Sequence, residues 1–231
     1  MKIGIIGAMQ EEVAQLKMTM SEVKITKKAS MDFYEGKLNG KEVVVVQSGI
    51  GKVNAAVCTQ ILIDIFAIDG IINTGIAGSL HNEINIGDIV VSTDAMQHDV
   101  DATEFGYPLG QIPRLDVLSF TADKKLAEQA INSCREVNSD IEVFSGRVVS
   151  GDQFIADDKI KQKIIENFGG YCTEMEGASI AQAAYLSDIP FVIIRAISDK
   201  ADDSAKVDYP TFEKQAIKNS VKLVSNMINK L

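Results

Sequence analysis

The sequence predicts an α/β protein, a mostly parallel or mixed central sheet covered by helices. Three observations carry this. Short β-branched apolar runs alternate along the chain with stretches of helical periodicity. Residues 43–46 are four consecutive valines, too apolar for a strand with one wet face, which places them in a sheet covered on both sides. No low-complexity linker, internal repeat or composition break divides the 231 residues, so the chain reads as one domain, 1–231, able to bury a substantial core.

The elements follow in order. Residues 2–7 form the first strand and 10–20 the first helix. Residues 32–38 and 42–47 flank Asn39-Gly40, a pair suited to a tight hairpin turn. Residues 51–66 read as a helix, with Val53, Ala56, Val57, Ile61 and Ile65 near helical spacing. Strands at 70–74 and 88–92 come next. Between 99 and 114, Gly106, Pro108, Gly110 and Pro113 interrupt both periodicities and predict an irregular loop. A loop of that length in a compact protein is usually functional or part of an interface. A helix near 122–137, a strand near 142–150 and a charged helix near 157–167 follow. A short strand at 172–175, a helix at 177–186, a strand at 191–197 and a final helix near 209–230 complete the chain.

Composition excludes several classes of function. Against 23 Lys and Arg stand 32 Asp and Glu, a formal charge of −9, which repels a nucleic-acid backbone or an anionic membrane. No apolar stretch approaches the ~18 residues needed to span a bilayer. The apolar run in residues 1–9 is too short for a secretory core and reads as a buried strand. Cys58, Cys134 and Cys172 are odd in number and widely spaced, so neither a disulfide framework nor a CxxC metal site is expected. A reducing cytoplasm fits that pattern. With only two histidines, carboxylates are the expected proton carriers.

Several motifs fail on inspection. Gly4-Ile5-Ile6-Gly7 follows a strand but lacks the G-x-G-x-x-G fingerprint of dinucleotide sites. Gly49-Ile50-Gly51-Lys52 suggests a phosphate loop, yet Val46 and Val53 stand where that loop needs Gly and Ser or Thr. A polar-ligand site on the backbone at the start of the 51–66 helix stays open. His81 and His98 are too few for a common zinc site. His98-Asp99-Val100-Asp101 could be drawn as a hard-metal cluster, but a solvated or interface loop suits it better. No G-x-S-x-G elbow is present.

Three acidic strand ends remain. Glu11-Glu12 sits where a strand passes into a helix; acids there complement the helix dipole, but ligands also gather at such ends of α/β sheets. Glu174 and Glu176 share one face if their strand persists that far, although one could cap the helix and the other be solvated. Asp199 closes the strand 191–197, and Lys200, Asp202 and Asp203 after it fit a surface run equally well. Together, three carboxylates in one topological role mark a site.

These strand ends carry a resemblance. Residues 1–9 with Glu11-Glu12, Ser48-Gly49-Ile50-Gly51-Lys52-Val53-Asn54-Ala55, Asn73-Thr74-Gly75-Ile76-Ala77-Gly78, Val149-Ser150-Gly151-Asp152-Gln153-Phe154-Ile155, Glu174-Met175-Glu176 and Arg195-Ala196-Ile197-Ser198-Asp199 occur in that order. The set closely resembles the 5′-methylthioadenosine/S-adenosylhomocysteine nucleosidases of the wider nucleoside phosphorylase group. The resemblance implies a three-layer α/β/α sandwich around a mixed, barrel-like sheet. It also implies hydrolysis of the bond between adenine and a 5′-thio-substituted ribose, in methionine salvage and S-adenosylhomocysteine recycling, with 5′-deoxyadenosine as a further substrate.

In that scheme Glu12 activates water. Asp199 is the protonated acid at adenine N7, oriented by Ser198. Glu176 takes the ribose hydroxyls, Met175 packs under the sugar, and Glu174 is counted with them as substrate-binding. The backbone around Ile155 reads the adenine edge, Phe154 stacks on the ring, and Ala77 and Gly78 line the pocket. Phe105 and Pro113 cover the alkylthio group of a partner subunit in a homodimer. No metal or organic cofactor is implied. Ile76 departs from the small polar residue of many relatives, so one pocket hydrogen bond is expected to be absent. Gly177-Ala178-Ser179 also varies and is expected to tune only helix packing.

The residue types suit this chemistry. An N-glycosidic bond breaks through an oxocarbenium-like state, so adenine must leave with a proton while water approaches the opposite face of the sugar. Two separated carboxyl groups in opposite protonation states supply both, as in inverting glycosidases. Asp199 must then hold a proton near neutrality, well above the unperturbed value of about 3.9, which burial among other carboxylates favours. Glu176 stabilises charge developing on the sugar. The rival on the same fold is a phosphorylase using phosphate as nucleophile, which Glu12 would repel. A non-catalytic adenosine-binding module is a second alternative, against which the set of Glu12, Glu176 and Asp199 speaks.

Overall fold

The structure, a computed structural model, describes residues 1–231. The chain runs β1 (Ile3–Gly7), α1 (Gln10–Thr19), β2 (Ser21–Lys28), β3 (Met31–Leu38), β4 (Lys41–Gln47), α2 (Lys52–Phe66), β5 (Gly70–Ser79) and β6 (Ile89–Gln97). It continues with β7 (Phe120–Thr121), α3 (Lys124–Val137), β8 (Val143–Ser150), α4 (Asp158–Phe168), β9 (Cys172–Glu174), α5 (Gly177–Leu186), β10 (Phe191–Asp199) and α6 (Ala205–Lys230). All ten strands join one mixed sheet in the order β10-β6-β8-β9-β5-β1-β4-β3-β2, with β7 on β6. A further pairing of β10 with β5 closes β10, β6, β8, β9 and β5 into a ring. The sheet is thus an open wing of β1 to β4 attached to a closed barrel.

The valines of β4 show how the layers form. Val44 and Val46 face a core shared with Leu62 and Phe66 of α2 and Ile180 and Ala184 of α5. Val43 and Val45 face the opposite core, with Leu16 of α1 and Val224 of α6. All four valines are fully buried. Strand alternation therefore feeds two helical layers from one run of sequence. A third, smaller core under α4 joins Ile164 and Phe168 to Val149, Ile155 and Ala201. The Asn39-Gly40 turn has both residues at positive φ, 51° and 80°, as a two-residue hairpin requires.

Several elements differ from the sequence expectation: β6 runs on to Gln97, past the expected 92, and β7 has no expected counterpart. The polar strand β2, with no expected counterpart, is a mostly exposed edge paired only to β3. β5 continues past Thr74 to Ser79, because Gly75 and Gly78 pair with β10 and do not end the strand. α6 begins at Ala205, ahead of the expected 209, and Pro210 lies inside it. The loop over 99–114 is irregular apart from a short 3₁₀ turn at Thr103–Phe105. No helix is long and apolar enough to cross a membrane.

The ring of Phe33 is fully buried and stacks on Phe66 with centroids 5.0 Å apart. Phe33→Ala is expected to cost about 3–5 kcal/mol in urea unfolding, the usual range for truncating a core phenylalanine. A loss under about 1 kcal/mol would show that β3 does not anchor this core.

Candidate active site

β1, β5 and β10 run parallel, so their carboxyl ends open on the same side. A cavity of about 490 Å³ lies there, with Glu12, Glu174, Glu176 and Asp199 in its wall. Glu12 stands in the first turn of α1, just beyond β1. Asp199 ends β10 after a register shift following Ile197, an irregularity that re-aims a side chain at a strand end. Glu176 precedes α5 directly and Glu174 is the last residue of β9.

Glu12 is 4% exposed. Its Oε2 accepts from the Ala8 and Met9 N–H groups at 2.7 and 3.0 Å, and its Oε1 from Ile76 N–H at 3.1 Å. Burial raises its pKa, and Arg195 and these three donors offset only part of that rise. Asp199, 1% exposed, accepts from Ala201 N–H at 2.8 Å on Oδ1 and from Ser198 Oγ at 2.8 Å on Oδ2. Burial raises its pKa, and Asp208 and Asp202 add to the rise against those two hydrogen bonds. Glu176 Oε1 accepts from Gly51 N–H at 2.7 Å. Its pKa is pushed up to about 8 by burial first and by the neighbouring Glu174 second.

Glu174 has a different environment. Arg195 Nη2 forms an ion pair with Glu174 Oε2, and Ser150 Oγ donates to Oε1. Gly177 N–H donates to both oxygens at 3.0 and 2.8 Å, and Glu176 N–H donates to Oε2 at 3.0 Å. Burial alone would raise this carboxyl, but Arg195, Ser150 and Gly177 outweigh it and hold it below the ordinary range. Arg195, 2% exposed, also donates to Asn73 Oδ1 at 2.6 Å. Two glycines make room for this packing. A Cβ on Gly75 would lie 2.5 Å from Glu12 Oε1 and 2.7 Å from Arg195 Nη1, and one on Gly78 2.7 Å from Asp199 Oδ1.

A buried cavity that keeps one carboxyl in its proton-holding range and another surrounded by N–H donors suits acid–base cleavage of a polar bond. The family model for the phosphorylase superfamily matches residues 2–229. A protein of an Exiguobacterium species named 5′-methylthioadenosine/S-adenosylhomocysteine nucleosidase is 44% identical, over 100% of this chain and 99% of its own. The chain belongs to this nucleosidase family. A solved nucleosidase from Neisseria meningitidis in complex with methylthio-immucillin-A is 42% identical, with a TM-score of 0.96 over 100% of this chain and 99% of that one. Another, from Colwellia psychrerythraea in complex with adenine, is 42% identical with a TM-score of 0.96, over 100% and 96%.

Within this family member, Ala77, Gly78, Phe154, Met175 and Ser198 also line the cavity. The Ile155 side chain packs in the third core with Leu80 and Met96, and the residue is absent from the cavity wall. Phe105 is 83% exposed, and neither it nor Pro113 reaches the cavity within one chain. β9 stops at Glu174, so the shared face expected for Glu174 and Glu176 does not form. The Glu174 carboxylate caps α5 and pairs with Arg195, and it lines the cavity beside Glu176. The open polar site at the start of α2 is also filled: Gly51 N–H serves Glu176, and Lys52 N–H donates to Asp152 Oδ1 at 2.8 Å. Asp99 pairs with Lys52 Nζ at 2.6 Å, and no cluster of three His, Cys, Asp or Glu is arranged to hold a metal.

Sequence reasoning missed Ala8, Met9, Ile50, Thr173 and Tyr209 in the wall, and treated Ile76 only as a departure. Tyr209 comes from α6, its ring edge-on to Phe154 with centroids 5.7 Å apart and its hydroxyl donating to Glu213 Oε1 at 3.1 Å. Met9 and Ile50 sit inside quoted motifs beside Glu12 and Gly51, a signal that was available.

The raised Glu176 pKa has a sign for stability. Its contribution is fully present below the ordinary 4.5 and is lost as pH climbs through about 8. Glu176→Gln keeps an acceptor for Gly51 and cannot ionise. The variant is expected to melt several degrees higher than the parent at pH 8, with the gain fading toward pH 4.5. Melting curves at both pH values check this, and an equal or reversed difference would contradict it.

Proposed function

We propose that this chain, as one nucleosidase domain over 1–231, hydrolyses 5′-methylthioadenosine and S-adenosylhomocysteine to adenine and the thioribose. We include 5′-deoxyadenosine among its substrates and place it in methionine salvage and S-adenosylhomocysteine recycling. The observation that carries the mechanism is the opposed surroundings of two buried carboxyls on one cavity. Burial first, and then Asp208 and Asp202, favour the proton on Asp199; burial raises Glu12 as well, but there Arg195 and three N–H donors work against the rise and favour the carboxylate. Asp199 therefore protonates adenine N7, with Ser198 orienting it. Glu12 takes a proton from water on the opposite face of the sugar.

Glu176 accepts from the ribose hydroxyls over Met175. Its charge is costly in the empty cavity, and the hydroxyls and the cationic sugar offset that cost most in the transition state. The adenine stacks on Phe154 and meets the backbone at Ile155, with Ala77 and Gly78 behind it. Glu174 supports Glu176 and Arg195 from the cavity wall and is counted with the substrate-binding residues. Against the phosphorylase alternative, no lysine or arginine lines the cavity and Arg195 is paired with Glu174 beneath it, so phosphate would meet the Glu12 carboxylate with no cation left to bind it.

The protein works as a homodimer in which Phe105 and Pro113 cover the alkylthio end of the partner's pocket. The apolar side chains that α2 and its approach leave exposed, Ile50, Val53, Val57 and Ile65, support such an interface. Three buried free cysteines fit a reducing cytoplasm.

Glu12→Gln and Asp199→Asn are each expected to slow adenine release by roughly 10²–10⁴-fold with native circular dichroism, and phosphate-free buffer to leave the parent rate unchanged. Near-full activity in either variant, or a strict need for phosphate, would sink the mechanism. Sedimentation of the parent should give a dimer, and Val53→Asp a monomer with reduced kcat/KM; a fully active monomer would refute closure in trans.

A further inference from the structure

We infer that Lys161 is a positioning residue for Asp199, acting through the single peptide bond between Lys200 and Ala201. This rests on the proposed role of Asp199 as the acid. Lys161 lies on the face of α4 that carries Ile164 and Phe168, and it is only 5% exposed. A lysine that deep is uncommon without partners. Its ammonium donates to the Lys200 carbonyl at 2.6 Å and lies 3.4 Å from Asp202 Oδ2. The peptide that presents this carbonyl turns its other end, Ala201 N–H, to Asp199 Oδ1 at 2.8 Å. One planar unit therefore has a cation at its oxygen and the acid at its nitrogen.

Two consequences follow from that arrangement. Because the peptide is rigid, fixing its carbonyl fixes the direction from which the N–H reaches Asp199. The cation also polarises the peptide in the sense that strengthens donation at the far end. The backbone needs such a hold. Ala201 is fully buried with φ at 52°, a left-handed conformation that a residue with a Cβ adopts only under constraint. A Cβ on Gly78 would approach Ala201 Cβ to 2.8 Å, so β5 bounds the same residue from the other side.

The groups around Asp199 set the direction of the effect. Asp202 faces it from the following loop, Asp208 and Tyr209 from α6, and Glu12 and Glu176 share its cavity. Lys200 sends its own ammonium away to the Ile84 carbonyl. Burial and the acids favour the proton on Asp199, while the Ala201 N–H favours its release. Lys161 thus limits how tightly the acid holds the proton it must deliver. Without it, the acid titrates at higher pH and points less consistently at its target.

The test is the pH dependence of adenine release from 5′-methylthioadenosine by the parent, Lys161→Met, Lys161→Arg and Asp199→Asn. Lys161→Met is expected to lower kcat about tenfold with KM within about threefold, and to move the basic limb of kcat/KM upward by about half a pH unit or more. Lys161→Arg keeps a cation and donor and should retain both kcat and the limb. A Lys161→Met limb at the parent pH, whatever its kcat, reduces Lys161 to packing and overturns the inference. Should that variant not fold, Lys161→Gln, which keeps a donor without the charge, is read in the same way. Full activity in Asp199→Asn would instead undo Asp199 as the acid, so the two failures are distinguishable.

Discussion

The Arg195 guanidinium lies buried beneath the cavity with three glutamates around it, and its charge is divided unequally among them. Glu174 takes the direct ion pair and is held ionised. Burial raises Glu12, and the same cation acting through space, together with three backbone N–H donors, offsets part of that rise. Glu176 receives less relief, and its pKa climbs to about 8. Asp199 has acids as its nearest charged neighbours and is also raised. Burying this many carboxyls without matching cations is costly in isolation. The result is a set of groups with graded affinity for protons, which acid–base chemistry at neutral pH requires.

Closure of the barrel makes that gradation possible. Pairing β10 with β5 sets Arg195 opposite Gly75 and Asp199 opposite Gly78. At both positions the missing Cβ is the space the functional groups occupy. The same closure brings the end of β10 near that of β1, so Glu12 and Asp199 reach one cavity from different strands. α6 then folds back to lay Tyr209 against Phe154. Mechanism and topology share a cause here: ligands of parallel sheets sit at the carboxyl ends because the loops and helix starts collect there.

Much of this was legible in the sequence, for identifiable reasons. The four valines of β4 announced a doubly covered strand because burial on two faces leaves no polar positions. Asn39-Gly40 announced its hairpin because few other pairs accept two positive φ values. Glu12, Glu176 and Asp199 stood out as acids at strand ends. What escaped depended on distant partners. The capping role of Glu174 is set by Arg195 and Ser150, which no local pattern connects to it. Tyr209 reaches the cavity from a helix two hundred positions beyond Met9. β2 is a polar edge whose only support is β3, and β5 runs through glycines that locally read as a stop.

Carboxyl-carbon NMR titration of the parent protein tests the central claim most directly, with Asp199→Asn and Glu176→Gln assigning the resonances. Unequal sharing of the Arg195 charge predicts that Asp199 and Glu176 remain protonated well above the ordinary carboxyl range while Glu174 stays ionised to the lowest pH at which the fold survives. An Asp199 that titrates near the ordinary value of about 3.8, or a Glu174 that takes up its proton above Glu176, would contradict the account.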